Sequence, residues 1–78
     1  MDALIRNKII DVLEKETRVL FNSIDPAAPI REQISIDSMQ FITIIARLEV
    51  VLGKSIPTTV MGVSTLNEFF AEIDNAVI

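Results

Sequence analysis

The sequence predicts an all-α fold: a four-helix bundle of three longer helices and one short helix, with a long loop between helices one and two. Apolar residues recur at helical spacing in three separate stretches of the 78 residues. The longest interruption contains Asp25-Pro26-Ala27-Ala28-Pro29, whose prolines forbid a continuous helix. We expect a single domain over residues 1–78, near the smallest size at which a core holds without disulfides or metals.

The first predicted helix runs from Asp2 to about Glu16 and is amphipathic, which is typical of a packing element. Its apolar stripe consists of Ile5, Ile9, Val12 and Leu13. The segment from about Thr17 to Ile36 has no sustained period and is predicted to be a long loop. Its apolar anchors are expected to be Val19, Leu20, Phe21, Ile24 and Ile30.

The most apolar predicted helix begins after Asp37 and ends at Gly53. Asp37 is a favourable N-cap residue, and Gln40 three positions later fits a capping box. Ser38 therefore falls in the first turn, where free amides and the positive end of the helix dipole would stabilise a phosphate bonded to its oxygen. The predicted buried side contains Phe41, Ile42, Ile44, Ile45, Leu48, Val51 and Leu52.

Two further helical elements are predicted after Gly53. Thr58 to Met61 are expected to form no more than a short helical turn. The last helix begins near Thr65, which fits a capping box with Glu68. Its predicted buried side contains Leu66, Phe69, Phe70, Ile73 and Val77.

Composition narrows the range of functions. The chain has no His and no Cys, which removes the usual zinc ligands, the common general base and the thiol nucleophile, so we expect neither an enzyme nor a metal site. A net charge of −4 without a basic cluster argues against a nucleic-acid partner. The acidic start at Asp2 lacks the basic residues of a signal peptide, and no apolar run approaches ~20 residues. A cytoplasmic monomer without a membrane span is expected.

The triplet Asp37-Ser38-Met39 resembles the Asp-Ser-Leu or Asp-Ser-Met signature of acyl carrier proteins and related carrier domains, in which the serine holds a phosphopantetheine arm. The resemblance covers Ile34 to about Ile73. It includes Arg47-Leu48-Glu49, Gly53, Ile56-Pro57 and Ser64-Thr65-Leu66. It implies an acyl-carrier-protein-like bundle with 4′-phosphopantetheine covalently bound to Ser38, Asp37 capping the helix beneath the arm and Met39 packing next to it.

The same resemblance implies a function. The chain would hold an acyl intermediate as a thioester and deliver it to enzymes of fatty-acid, lipid or polyketide biosynthesis. The implied partners are a phosphopantetheinyl transferase and acyl-loading and acyl-processing enzymes. One alternative is a peptidyl, aryl or D-alanyl carrier loaded by an adenylating enzyme, and another is an unmodified helical interaction module. Family resemblance also implies that cargo can enter the bundle, where Met39, Met61 and Leu66 could open for it.

The sequence departs from the fatty-acid carriers at two places. Their second long helix presents Asp and Glu to basic patches of the synthases, whereas the outward positions here are predicted to be Gln40, Thr43, Arg47 and Val50. Because charge complementarity governs partner choice, these four residues indicate a specialised carrier with its own enzymes. The second departure is Ser35, where the family commonly has glycine. Because serine tolerates positive φ poorly, the sequence does not predict the backbone conformation of the turn before Asp37.

Overall fold

The structure, a computed structural model, describes residues 2–77, with only the backbone described for Val77. The predicted burial of the Val77 side chain therefore lies outside the described part. The helices are α1 (Ala3–Thr17), α2 (Ile30–Gln33), α3 (Ser38–Leu52) and α4 (Leu66–Val77), with 3-10 turns at Phe21–Ser23 and Thr58–Gly62. Within residues 2–77 there is no strand, so the all-α fold with three longer helices is confirmed.

The long loop between α1 and α3 contains more local structure than the sequence predicts. α2 is a single helical turn, closed by a hydrogen bond from the Ile34 N–H to the Ile30 carbonyl at 2.9 Å. So short a turn cannot produce a hydrophobic period, which is why the pattern did not reveal it. The Ile30 N–H donates to the Ser64 carbonyl at 2.7 Å, and the Asn67 N–H donates to the Pro26 carbonyl at 3.1 Å. The loop is therefore fastened to the start of α4.

The core is built from apolar side chains of all four helices and of the connecting segments. Among the residues that the structure describes, no buried side chain is polar or charged. The rings of Phe41 and Phe69 meet edge to face with centroids 5.7 Å apart, which joins α3 to α4. None of the described helices combines the length and the hydropathy that crossing a membrane requires.

Three apolar residues predicted to be buried are instead exposed. Ile42 and Val51 of α3 are 50% and 42% exposed, and the loop residue Leu20 is 66% exposed. An amphipathic helix buries a stripe about 100° wide, and Ile42 and Val51 lie on opposite flanks of the stripe centred on Phe41. Leu20 is exposed because the neighbouring Phe21 packs inward in its place. The exposure of Ile42 and Val51 makes the surface of α3 more apolar than predicted.

α1 and α3 lie side by side and run antiparallel. Gln40, in the first turn of α3, donates through Nε2 to the carbonyl of Glu16 in the last turn of α1 at 2.8 Å. Arg47, two turns further along α3, forms an ion pair with the Glu16 carboxylate. Glu16 therefore joins α1 to α3 through both its backbone and its side chain.

Candidate functional site

Ser38 is the first residue of α3, and its side chain is exposed. Asp37 precedes it in an extended conformation, with φ −98° and ψ 174°, and its Oδ1 accepts a hydrogen bond from the Gln40 N–H at 2.7 Å. The carboxylate thus satisfies one of the amides that a helix leaves unpaired at its start. The prediction that Asp37 caps this helix is confirmed.

Two amides remain available beside the Ser38 hydroxyl. The Phe41 N–H donates to the Asp37 carbonyl at 3.0 Å, and the Gln40 N–H is taken by the Asp37 carboxylate. In the part of the chain that the structure describes, the N–H groups of Ser38 and Met39 have no acceptor. They lie at the positive end of the helix dipole, where a phosphoester on Ser38 would place its anionic oxygens. The residues present therefore fit a phosphate group.

The second half of the predicted capping box does not form. The Gln40 side chain turns away from the Asp37 N–H and donates to the Glu16 carbonyl at 2.8 Å. That carbonyl belongs to the last turn of α1, where carbonyls have no intrahelical donor. Gln40 is consequently half-buried, so its predicted outward orientation is wrong. Its side chain holds the start of α3 against the end of α1.

Apolar side chains dominate the solvent-facing surface of α3. Met39, beside Ser38, is 73% exposed, and Val50 is 82% exposed. Thr43 is also exposed, and its hydroxyl donates back to the Met39 carbonyl at 3.0 Å. We call this surface the outer face of α3; it consists of Met39, Ile42, Thr43, Ala46, Arg47, Val50 and Val51. A shallow groove of about 570 Å³ separates it from α1.

Both charged residues of α3 are engaged within the molecule. Arg47 pairs with Glu16, so its charge is compensated locally. Glu49 is half-buried, and its Oε2 accepts a hydrogen bond from the Ile56 N–H at 2.8 Å. The predicted lack of carboxylates on the outer face is confirmed. Sequence reasoning missed the pairing of Arg47, because no spacing rule relates residues on separate helices.

A small internal void lies beneath the start of α3. Its volume is about 20 Å³, and Ile36, Phe41 and Leu66 are among the residues that line it. Of the three residues expected to open for cargo, Leu66 lines this void, whereas Met39 is exposed and Met61 is half-buried elsewhere. A space of that size holds about one water molecule, so an acyl chain requires core side chains to move apart.

Ser35 adopts no strained backbone. Within residues 2–77, positive φ occurs only at Arg18 and Gly53. The turn before Asp37 is therefore built without a left-handed residue, so serine is compatible with the position where the family commonly has glycine.

The chain matches the family model described as "Phosphopantetheine attachment site" over residues 3–73. The match spans nearly the whole chain, and the chain therefore belongs to this family of carrier domains. The resemblance found in the sequence is confirmed, and so is the cofactor, 4′-phosphopantetheine bound covalently to a serine. A search of curated proteins and a search of solved structures each gave no significant match.

Proposed function

We propose that the chain is an acyl carrier protein, one domain over residues 1–78, in which Ser38 holds the phosphopantetheine arm and the arm holds an acyl group as a thioester. The observation that supports this best is the position of Ser38. It is an exposed serine in the first turn of a fifteen-residue helix, inside the family match, with two free amides beside it. Delivery would be to enzymes of fatty-acid, lipid or polyketide biosynthesis in the cytoplasm.

The other serines lack this combination of features. Ser23 donates its hydroxyl to the Leu20 carbonyl at 2.6 Å in a 3-10 turn. Ser64 precedes α4, but its own N–H is taken by the Glu68 carboxylate at 3.2 Å, so that amide is not free to bind a phosphate. Ser35 and Ser55 lie outside the helices. Ser38 is therefore the residue on which the proposal depends.

The chain's own residues hold and orient the arm, while the arm supplies the thiol that carries cargo. Asp37 fixes where α3 begins, and Gln40 fixes that turn against α1. Tethering raises the effective concentration of cargo near a docked enzyme, so delivery becomes intramolecular. In this proposal the chain has no enzymatic activity, and the partner enzymes make and break the bonds of the cargo.

Intact-mass analysis after incubation with a broad-specificity phosphopantetheinyl transferase and coenzyme A tests the assignment. The natural chain should gain the mass of one arm, and Ser38→Ala should gain none. Ser35→Ala, three residues earlier in the same segment, is the matched control and should load like the natural chain. If several transferases add no mass, the chain is an unmodified helical interaction module.

The outer face of α3 favours a second candidate, a peptidyl, aryl or D-alanyl carrier loaded by an adenylating enzyme. Such carriers tend to have less acidic helices, and here Glu49 is turned toward Ile56. The length of the cargo distinguishes the two candidates. An acyl chain that binds only the folded protein stabilises it, and the stabilisation grows with the apolar area that the acyl chain buries. Tm should rise from holo to longer acyl forms if the bundle shelters acyl chains. A flat series supports the amino-acyl carrier.

We further propose that partner enzymes dock on the outer face of α3 through Thr43, Arg47 and Val50, with Gln40 acting indirectly by fixing the helix. Because Arg47 is already paired with Glu16, docking should rely on apolar contacts and depend weakly on salt. Thr43→Glu with Val50→Glu should improve turnover by a synthase with a basic docking patch at low salt, while leaving the Gln40 hydrogen bond intact. If the natural chain already serves such a synthase as well as an acidic carrier does, the docking proposal is wrong.

A further inference from the structure

Arg31 contacts Phe41, which lies in α3 three residues after Ser38. It is an exposed residue of α2, and its guanidinium carbon stands 5.8 Å from the centroid of the Phe41 ring. Phe41 follows Ser38 by three positions in α3, and residues at that spacing have Cβ atoms about 5–6 Å apart on one side of a helix. The loop therefore brings a cation to the start of α3 that α3 itself does not supply.

An arm on Ser38 would add negative charge to an end of α3 that already carries a carboxylate. The Asp37 carboxylate already occupies the start of the helix through its bond to the Gln40 N–H. A phosphodiester on the next residue, Ser38, adds a second negative charge, and like charges a few ångströms apart repel. The helix dipole offsets only about half a charge.

Arg31 is available for this task. Lys15 pairs with Asp11 and Arg47 pairs with Glu16, whereas no carboxylate in the described part of the chain pairs with Arg31. A guanidinium presents a planar fork of donors that matches two oxygens of a phosphate. Stacking over Phe41 keeps the side chain at the start of α3 before any arm is attached.

We propose that Arg31 is a positioning residue for the phosphopantetheine arm, with its guanidinium binding the phosphodiester oxygens on Ser38. The inference rests on the proposed attachment at Ser38. The contact gives the root of the arm a second anchor on α2, so the arm leaves the protein from a restrained phosphate rather than from a single freely rotating ester bond.

NMR of the natural chain tests the contact without any variant. The Arg31 Nε–H resonance should shift downfield when the apo form is converted to the holo form, because a charged acceptor then replaces water. The Arg6 Nε–H, whose guanidinium stands 4.5 Å from the Phe70 ring, serves as the internal reference and should not move. An Arg31 resonance that stays in place while intact mass shows a loaded Ser38 overturns the proposal.

Thermal unfolding of apo and holo forms provides a second, independent readout. At low salt, the difference in Tm between the holo and apo forms should be smaller in Arg31→Gln than in the natural chain. This contrast between the variant and the natural chain should disappear at high salt, because salt screens the attraction between the guanidinium and the phosphodiester. Arg31→Lys keeps the charge without the planar fork and should lie between them. Lys54→Gln removes the same charge beyond Gly53, at the far end of α3, and should match the natural chain.

The outcomes separate the two proposals. If Ser38 loads and Arg31→Gln behaves like Lys54→Gln at every salt concentration, the role of Arg31 is wrong and the carrier function stands. If intact mass shows no arm on Ser38, the carrier function fails and the role of Arg31 fails with it.

Discussion

α1 and α3 end with the same geometry, built from different residues. Arg18 ends α1 and Gly53 ends α3, both in the left-handed conformation, with φ of 58° and 67°. Each donates its N–H to the carbonyl four residues earlier, Glu14 at 2.8 Å and Glu49 at 2.9 Å. The same two glutamates also use their side chains, each accepting at 2.8 Å an N–H from seven residues further along the chain. The feature that both ends share is the glutamate, whereas glycine is present at only one of them.

The two ends differ in how deeply the fastened segment is buried. The Glu14 carboxylate binds the N–H of Phe21, which is half-buried, and the Glu49 carboxylate binds the N–H of Ile56, which is 5% exposed. Burial raises the cost of leaving an amide unpaired. The comparison therefore predicts that removing the glutamate side chain at the end of α3 lowers the free energy of unfolding more than removing the one at the end of α1.

The largest effect is expected for Glu49→Ala. The Ile56 N–H would lose its acceptor in a partly buried position, on a residue that is only 5% exposed, which should lower the free energy of unfolding by about 2 kcal/mol. Glu14→Ala should cost less, because water can reach Phe21. Denaturant unfolding of both variants measures the difference. If Glu14→Ala costs as much as Glu49→Ala, then burial does not distinguish the two helix ends.

Gly53→Ala should have the next largest effect. A Cβ at Gly53 meets nothing within 4 Å, so the cost comes from the positive φ alone and should be about 1 kcal/mol. Gly62 is the matched control, because a Cβ there also meets no atom within 4 Å and its φ is not positive. The same denaturant series should show Gly62→Ala close to the natural chain; equal losses at both glycines would refute the role of φ.

Arg18→Gly should stabilise the chain by about 0.5–1 kcal/mol, since glycine adopts the left-handed conformation without the steric cost that arginine bears. Arg18→Ala keeps that cost and serves as the control. For a chain of this size, the gain corresponds to a rise in Tm of about 2–8 °C by calorimetry. A gain shared by the alanine variant would show that the side chain of Arg18, and not its backbone, is unfavourable.

The smallest effect expected from these variants is on arm attachment. Gly53 lies at the opposite end of α3 from Ser38, so Gly53→Ala and Arg18→Gly should load like the natural chain at temperatures where they are folded. The transferase and intact-mass assay measures this. Slower loading of Gly53→Ala would mean that the two ends of α3 are coupled.

The sequence was sufficient to predict what local rules determine. Hydrophobic period located the three longer helices, and cap chemistry placed Asp37 and Ser38 at the start of α3. The glutamate bonds at the helix ends were not predicted, because they span seven residues and depend on how the chain leaves the helix. A Glu four positions before the end of a helix, with an apolar residue three positions after that end, is the signal that could have found them.

Contacts between distant residues account for the remaining differences. The orientation of Gln40 depends on where α1 ends, and the pairing of Arg47 depends on how α1 lies beside α3. Arg31 is placed over Phe41 by the loop, and no sequence period relates these two residues. The side-chain contacts on the α3 surface and near Ser38 are therefore determined by how the helices and the loop pack together, which local sequence patterns do not predict.

The hydrogen bond from the Ile30 N–H to the Ser64 carbonyl can be used to measure how often the loop separates from the start of α4. Ile30 and Leu66 line the same internal void, so a motion that separates the loop from the start of α4 must break this bond and widen that space together. Hydrogen–deuterium exchange at the Ile30 amide would then report the free energy of that opening. Slower exchange in an acylated form would indicate a cargo that closes the bundle around itself, and faster exchange a cargo that wedges it apart.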